Sequence, residues 1–307
     1  MVLTLAVGAC AATPPDGSGT ASGGSHASSG GTTGTGGAKG SGGTTGTGGS
    51  GTSATSCTPG KVPSGSLFSP FDAMPVTTMA PDGREYYLQV NEWNSAANMA
   101  AQTMAYGGDY FFKLTRQDAK VPTTGAPAGF PSHFIGSNAN HVTVRSNLPK
   151  AVTALTTIPT SWTWNDAGTL ADPTNNSYNV TYDVWFSTSS AGDSGSPSGG
   201  FLMVWYHKPS DAQPVGSRMY SSVTIAGVPG FWDVWIGPNA GKQVVSYVSQ
   251  QDLKSFSYDL NDFIQDAVKN RPNTIQSSWY LTNVFAGFEI WRGGLNLEST
   301  SFCVVVN

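Results

Sequence analysis

Ala-Gly-Phe-Glu-Ile-Trp, residues 286–291, is the stretch that decides the fold. Side chains alternate between the two faces of a β-strand, so Glu289 and Trp291 share one face. The other face is apolar and carries Phe288 and Ile290. The stretch therefore predicts a strand with one face against a core. Its open face places a carboxylate beside an indole, which suits a sugar ring stacked on the indole.

Four more runs repeat this alternation, with a tryptophan two residues from another candidate site residue. These sets are Asn91 with Trp93, Asp183 with Trp185, Phe201 with Met203 and Trp205, and Asp233 with Trp235. Core packing accounts for some of the tryptophans. It accounts less well for an acidic residue and a tryptophan on the same face three times. We expect one sheet face lined with aromatic rings and carboxylates.

The rest of residues 57–307 shows short alternating runs broken by Gly, Pro, Asn and Ser, a spacing typical of a β-sandwich. The predicted strands are 86–93, 110–115, 142–145, 179–187, 201–207, 221–225, 231–236, 243–247, 278–291 as two strands, and 299–306. Apolar residues at helical spacing over 260–268 predict one amphipathic helix, capped by Asp259 or Ser257 and packed on the outside. The fold class is all-β.

Charge is sparse and argues against a nucleic acid partner. The chain has 307 residues, of which 11% are charged, and a formal net charge of −4. No basic stripe follows a strand or helix. About 250 residues suffice for one core, so we expect one folded domain and a monomer.

The first ten residues predict an export signal. Their short apolar run ends at Cys10 in a pattern like a bacterial lipobox, although the usual positive start is missing. The true start could lie upstream, or the apolar run could be a chance one. Residues 11–56 are almost wholly Gly, Ser, Thr and Ala, which predicts a disordered tether. We expect an exported protein, either secreted or an outer-surface lipoprotein, that meets the membrane only through a lipid on Cys10.

Two further cysteines, Cys57 and Cys303, lie at the start and end of the predicted domain. Oxidising surroundings favour a disulfide between them. The alternative is two unpaired thiols.

The motifs of this domain, taken in order, resemble glycoside hydrolase family 12. The resemblance is carried by Asn91-Glu92-Trp93, Gly125-Ala126-Pro127, Phe130-Pro131-Ser132, Tyr182-Asp183-Val184-Trp185, Leu202-Met203-Val204-Trp205, Gln213-Pro214-Val215-Gly216, Trp232-Asp233-Val234-Trp235, Trp279-Tyr280-Leu281 and Gly287-Phe288-Glu289-Ile290-Trp291. It implies a two-sheet β-jelly-roll with a concave cleft for a β-1,4-glucan. It also implies endo-β-1,4-glucanase or xyloglucan endoglucanase activity without cofactor or metal.

The resemblance also assigns roles to individual residues. Glu289 is implied as the general acid/base, and Asp183 as the neighbour that tunes the nucleophile. The implied substrate-binding residues are Asn91, Trp93, Met203, Trp205, Trp235 and Trp291.

The departure from the family pattern is at the nucleophile, where this chain has Phe201 instead of Glu. A phenyl ring cannot form the glycosyl ester that retaining enzymes need. Asp183 is the best substitute, as the base of an inverting pair with Glu289, and Asp193 is a second alternative. The other glutamates, Glu85, Glu92 and Glu298, do not fit by position.

Three functions therefore stay open on sequence grounds. The first is an endo-acting hydrolase of β-1,4-glucan with a relocated second carboxylate. The second is a tethered glucan-binding protein that has lost hydrolysis through Phe201. A transglycosylase ranks lowest because it also needs the nucleophile.

Overall fold

The computed structural model describes residues 57–68, 72–80, 82–94, 101–138, 141–191 and 197–307. The predicted export signal of residues 1–10, with Cys10, and the predicted linker of residues 11–56 lie outside the described residues, as does Asp193. Among the described residues, no helix is both long and apolar enough to cross a membrane.

Seventeen strands and one α-helix make up the described part of the chain. In chain order they are β1 Gly65–Leu67, β2 Ala73–Thr77, β3 Glu85–Gln89, β4 Gln102–Gly107, β5 Tyr110–Gln117, β6 Ser132–Asn138, β7 His141–Val142, β8 Lys150–Ala151, β9 Pro159–Asn165, β10 Ser177–Ser187, β11 Phe201–His207, β12 Ser217–Ile225, β13 Val228–Asn239, β14 Lys242–Ser249, β15 Ser255–Asp259, α1 Leu260–Asn270, β16 Tyr280–Arg292 and β17 Glu298–Val304.

The strands form two sheets, which confirms the predicted jelly-roll sandwich. One sheet has the order β1-β4-β5-β17-β9-β15, and the larger has the order β12-β13-β14-β11-β10-β16-β6-β3-β2. Phe288 and Ile290 of β16 join the main core between the sheets. Trp291 belongs to a second apolar cluster, with Trp185, Phe201, Met203 and Trp205. We call the large-sheet face that carries this second cluster the cleft face.

Three strand predictions were wrong. The strand predicted over 142–145 is only the two-residue β7, His141–Val142. For the other two, the backbone gives the reason. Residues 278–291 form one strand rather than two, because β16 pairs with β10 over its whole length and absorbs two register shifts. The strand predicted over 86–93 ends at Gln89, since Asn91 adopts a left-handed φ of 48°. That turn frees Trp93 from the sheet.

The predicted helix is present as α1, and Asp259 is its cap. The Asp259 side chain accepts a hydrogen bond from the Asn261 amide at 2.9 Å. Phe263 packs edge-on against Trp232 and Tyr258, so the apolar face of the helix is buried on the sandwich.

Cys57 and Cys303 form a disulfide with their Cα atoms 5.7 Å apart. The bridge ties the start of the described domain to β17. It closes a loop with a sequence separation of 246 residues.

Candidate active site

Glu289 lies in the second half of β16 and is only 3% exposed. Its backbone partner across the sheet is Asn179 of β10. The Asn179 amide group donates to Glu289 Oε2, and Glu289 N donates to Asn179 Oδ1 at 3.1 Å. The first bond orients the buried carboxyl group, as an acid that must meet one oxygen atom requires, and the second holds the Asn179 side chain in place.

Asn179 was not among the predicted site residues, although the sequence carries a signal for it. Asn179 lies four residues before Asp183 on the same strand, so both side chains share the cleft face. That alternation identified Asp183 and could equally have identified Asn179.

Asp183 is the second carboxyl group on this face. It lies directly opposite Met203 on β11 and Phe285 on β16, and is partly buried. Burial raises the pKa of Asp183 to about 7, and the Trp185 indole N–H beside it offsets part of the increase. The contact with Trp185 falls short of full hydrogen-bond geometry, and Asp183 Oδ1 has no hydrogen-bond partner among the described residues.

Phe201 begins β11 and lies opposite Trp185. Its ring meets the Trp185 ring edge-on, with centroids 5.8 Å apart and an interplanar angle of 85°. The side chain is 5% exposed. Position 201 therefore supplies an apolar ring packed into the cleft face and no group that can attack an anomeric carbon.

The strand register sets the spacing of the two carboxyl groups. Asn179, which holds Glu289, and Asp183 are four residues apart on β10. At about 3.3 Å per residue, this corresponds to about 13 Å of strand. This backbone spacing exceeds both the carboxyl separation of inverting enzymes, roughly 6.5–9.5 Å, and the 5–5.5 Å of retaining enzymes.

The predicted aromatic platforms divide into two groups. Trp205 and Trp291 are almost fully buried, and Trp291 Nε1 donates to the Gly125 carbonyl at 2.8 Å. Met203 is fully buried as well. Trp93 and Trp235 are only partly buried and pack at the margin of the second cluster. Trp93 and Trp235 can therefore stack on a ligand ring, whereas Trp205 and Trp291 are packed into the second apolar cluster.

Asn91 helps to place Trp93. The Asn91 carbonyl accepts from Phe130 N at 2.9 Å, and Trp93 N donates to the Ala128 carbonyl at 3.0 Å. The left-handed turn at Asn91 thus fastens this segment to the loop before β6.

The other three glutamates are engaged elsewhere. Glu92 accepts from the backbone amides of Ala101 and Gln102 at 3.2 and 3.1 Å. Glu298 is paired with Lys113 at 2.8 Å on the smaller sheet. Glu85 accepts from the Val144 amide at 3.0 Å.

Asp233 forms an ion pair with Arg218 at 3.0 Å. No group of three or more His, Cys, Asp or Glu side chains within the described ranges could hold a metal ion.

Known proteins share this architecture and sequence. The sequence profile of glycosyl hydrolase family 12 matches residues 84–307. A xyloglucan-specific endo-beta-1,4-glucanase A of Emericella nidulans is 35% identical over 159 residues, which cover 51% of this chain and 61% of that protein. The chain thus spans about three fifths of the length of that relative. A Mycobacterium tuberculosis protein named "Probable cellulase Cel12b" is 31% identical over 166 residues, covering 53% of this chain and 99% of its own.

Solved structures agree with the sequence relatives. The endoglucanase cel12A from Rhodothermus marinus superimposes with a TM-score of 0.66 at 32% identity, covering 79% of this chain and 99% of that one. An endo-1,4-beta-glucanase CelB2 also superimposes with a TM-score of 0.66, at 29% identity and with the same coverage. The profile match alone extends over most of the chain. This chain belongs to glycosyl hydrolase family 12.

Proposed function

We propose that this protein is a glycoside hydrolase that cleaves β-1,4-linked glucan within the chain, with cellulose, mixed-linkage glucan or xyloglucan as the substrate. The observation that carries the proposal is the buried Glu289, which shares two hydrogen bonds with Asn179 on the face that also presents Asp183. The relatives named as xyloglucanase and cellulase support the substrate class.

Glu289 is the proton donor to the glycosidic oxygen in this proposal. Its burial beside Asn179 keeps the carboxyl group in one orientation, which a proton transfer over hydrogen-bond distance needs. The partly exposed Trp93 and Trp235 bind sugar rings toward the two sides of the large sheet.

Asp183 is the base that activates water in this proposal, because Phe201 excludes a glycosyl ester at the usual position. An inverting reaction needs only a carboxylate that accepts a proton from water on the opposite side of the sugar ring. With a pKa of about 7, Asp183 is a stronger base than an ordinary aspartate, and its deprotonated form is available near neutral pH.

The experiment measures reducing ends released by the full chain from barley β-glucan, carboxymethylcellulose and xyloglucan over several hours. We expect release by the wild type and its loss in both Glu289→Gln and Asp183→Asn. Glu298→Gln is the matched control, since this glutamate lies on the smaller sheet, and it should cleave like the wild type. Anomer analysis of the first product should show inversion, and a retained anomer would reject the base role of Asp183.

A second candidate function is a glucan-binding protein that has lost hydrolysis. The edge-on packing of Phe201 against Trp185 favours it, because an apolar pair fills the place of the attacking carboxylate. For this candidate, the wild type binds the glucan without cleaving it, and Phe201→Glu introduces cleavage. Cleavage by the wild type rules it out.

Anchoring belongs to the same proposal. The lipobox-like run ending at Cys10 and the Gly/Ser/Thr-rich segment after it support a domain displayed on the outer surface of the cell through a lipid.

A further inference from the structure

Five polar atoms on the cleft face have no hydrogen-bond partner among the described residues. They are Asp183 Oδ1, Trp185 Nε1, Trp205 Nε1, Ser246 Oγ and Asn283 Oδ1. All five atoms are buried, and the Trp185 N–H lies beside the Asp183 carboxyl group, so these two groups partly satisfy each other. A buried polar atom without a partner is unfavourable for the folded state, so several of them on one face require an explanation.

The strand register groups these residues around Met203. Ser246 of β14 and Asp183 of β10 lie opposite Met203 on its two sides. Trp205 is two residues further along the same strand as Met203. Trp185 and Asn283 lie directly opposite each other on β10 and β16, and Trp185 is two residues from Asp183.

The five atoms together match a ligand that both donates and accepts hydrogen bonds. The two indole nitrogens can only donate, and the Asn283 amide oxygen can only accept. The Ser246 hydroxyl can do both. The two indole N–H groups disfavour a cation, and the Asp183 carboxyl group disfavours a simple anion. A sugar ring, whose hydroxyl groups donate and accept, satisfies the whole set.

Ser246 also lies beside an aromatic platform. It is opposite Trp235 on β13, which is partly exposed. Directly opposite residues on one face of a sheet are side-chain neighbours, so Ser246 lies next to this indole.

We propose that Ser246 is a specificity-determining residue that binds a hydroxyl group of a glucosyl ring stacked on Trp235, and that Trp205 Nε1 and Asn283 Oδ1 bind hydroxyl groups of the same glucan chain. This inference rests on the proposed function. It gives a role to Ser246 and Asn283, for which sequence motifs gave none.

The test uses the full chain in a Glu289→Gln background, so that the ligand stays intact, and titrates cellohexaose by calorimetry. Ser246→Ala should weaken binding about three- to tenfold, which is the loss expected for one neutral hydrogen bond. Its melting temperature should be unchanged or higher, because an unpartnered buried hydroxyl group has been removed. Trp205→Phe, which keeps a ring and removes the N–H donor, should weaken binding in the same way.

Ser161→Ala is the matched control. Ser161 Oγ is also buried without a hydrogen-bond partner in the described part of the chain, but it lies on β9 of the smaller sheet. This variant should bind cellohexaose like the background protein. Unchanged affinity in both Ser246→Ala and Trp205→Phe would overturn the inference and assign these atoms to ordered water. No binding of cellohexaose by the background protein itself would instead overturn the proposed function, and this inference with it.

Discussion

Asn179 and Glu289 lie directly opposite each other on β10 and β16 and are joined by two hydrogen bonds, although they are 110 residues apart in sequence. One bond holds the carboxylate and the other runs from the Glu289 backbone to the Asn179 side chain. The orientation of the candidate acid therefore depends on the pairing of β10 with β16.

Replacing Asn179 by Ala should lower hydrolysis at least about tenfold, because the acid loses the bond that orients it. Loss of both bonds should also lower the free energy of unfolding by about 1–3 kcal/mol. Reducing-end assays and denaturant titrations measure the two effects. Asn165→Ala is the control, since the Asn165 amide donates to Glu298 at 3.3 Å on the smaller sheet. An Asn179→Ala enzyme as active as the control would contradict the orienting role.

The raised pKa of Asp183 predicts a stability that falls as pH rises. The folded protein keeps this proton up to about pH 7, whereas the unfolded chain releases it near the ordinary value of 3.8. The folded state thus holds more protons between these values, and its free energy of unfolding decreases across pH 4 to 7 by at most about 4 kcal/mol.

Asp183→Asn should remove this decrease, since a neutral amide has no charge to bury. Denaturant titrations at pH 4, 5.5 and 7 should give a variant that is more stable than the wild type at pH 7, with a gap that closes toward pH 4. A constant difference between the two proteins at all three values would argue against burial as the cause.

Burial of His133 has the opposite effect to that of Asp183: it predicts a free energy of unfolding that rises with pH in the acid range. Burial lowers its pKa to about 3 from the ordinary 6.5, and its ring stacks on Phe302 with centroids 3.7 Å apart. The unfolded chain therefore binds more protons between about pH 3 and 6.5. Stability from the neutral ring is full above pH 6.5 and is lost as pH falls toward 3, by at most about 5 kcal/mol.

His133→Gln should flatten that acid branch, even if its stability at pH 7 is lower. The slope of unfolding free energy between pH 6.5 and 4 is the deciding measurement. Comparison with Asp183→Asn separates the two groups, because their slopes have opposite signs.

Removing the Cys57–Cys303 bridge should cost about 2–5 kcal/mol, as is typical of a native disulfide. The double variant Cys57→Ser/Cys303→Ser should keep its strands in the folded state but unfold at a lower denaturant concentration. Addition of a reductant to the wild type should produce the same shift. Equal midpoints with and without reductant would show that the bridge contributes no stability.

Cys10→Ser should release the protein from the membrane fraction of its host cell. Cell fractionation with metabolic labelling by a radioactive fatty acid tests this. Label on the wild type and its absence on the variant support the lipid anchor. An unlabelled wild type recovered from the medium would assign the protein to secretion.

The sequence by itself determined which side chains share a face. Because side-chain alternation is a local property of an extended backbone, residues 286–291 and their counterparts predicted that Glu289, Asp183 and Phe201 lie on one face. The motifs around them were sufficient to identify the family.

Only the tertiary structure decided the partners across strands and the depth of burial. Asn179 meets Glu289, and Ser246 meets Trp235, through pairings between separate strands that a single segment does not encode. The same holds for the tryptophans, which look equivalent in sequence. Trp291 is buried by the loop that contains Gly125, whereas Trp235 stays partly exposed. The physical reason is that alternation along a strand is set by local backbone geometry, whereas register and burial are set by contacts between residues far apart in the chain.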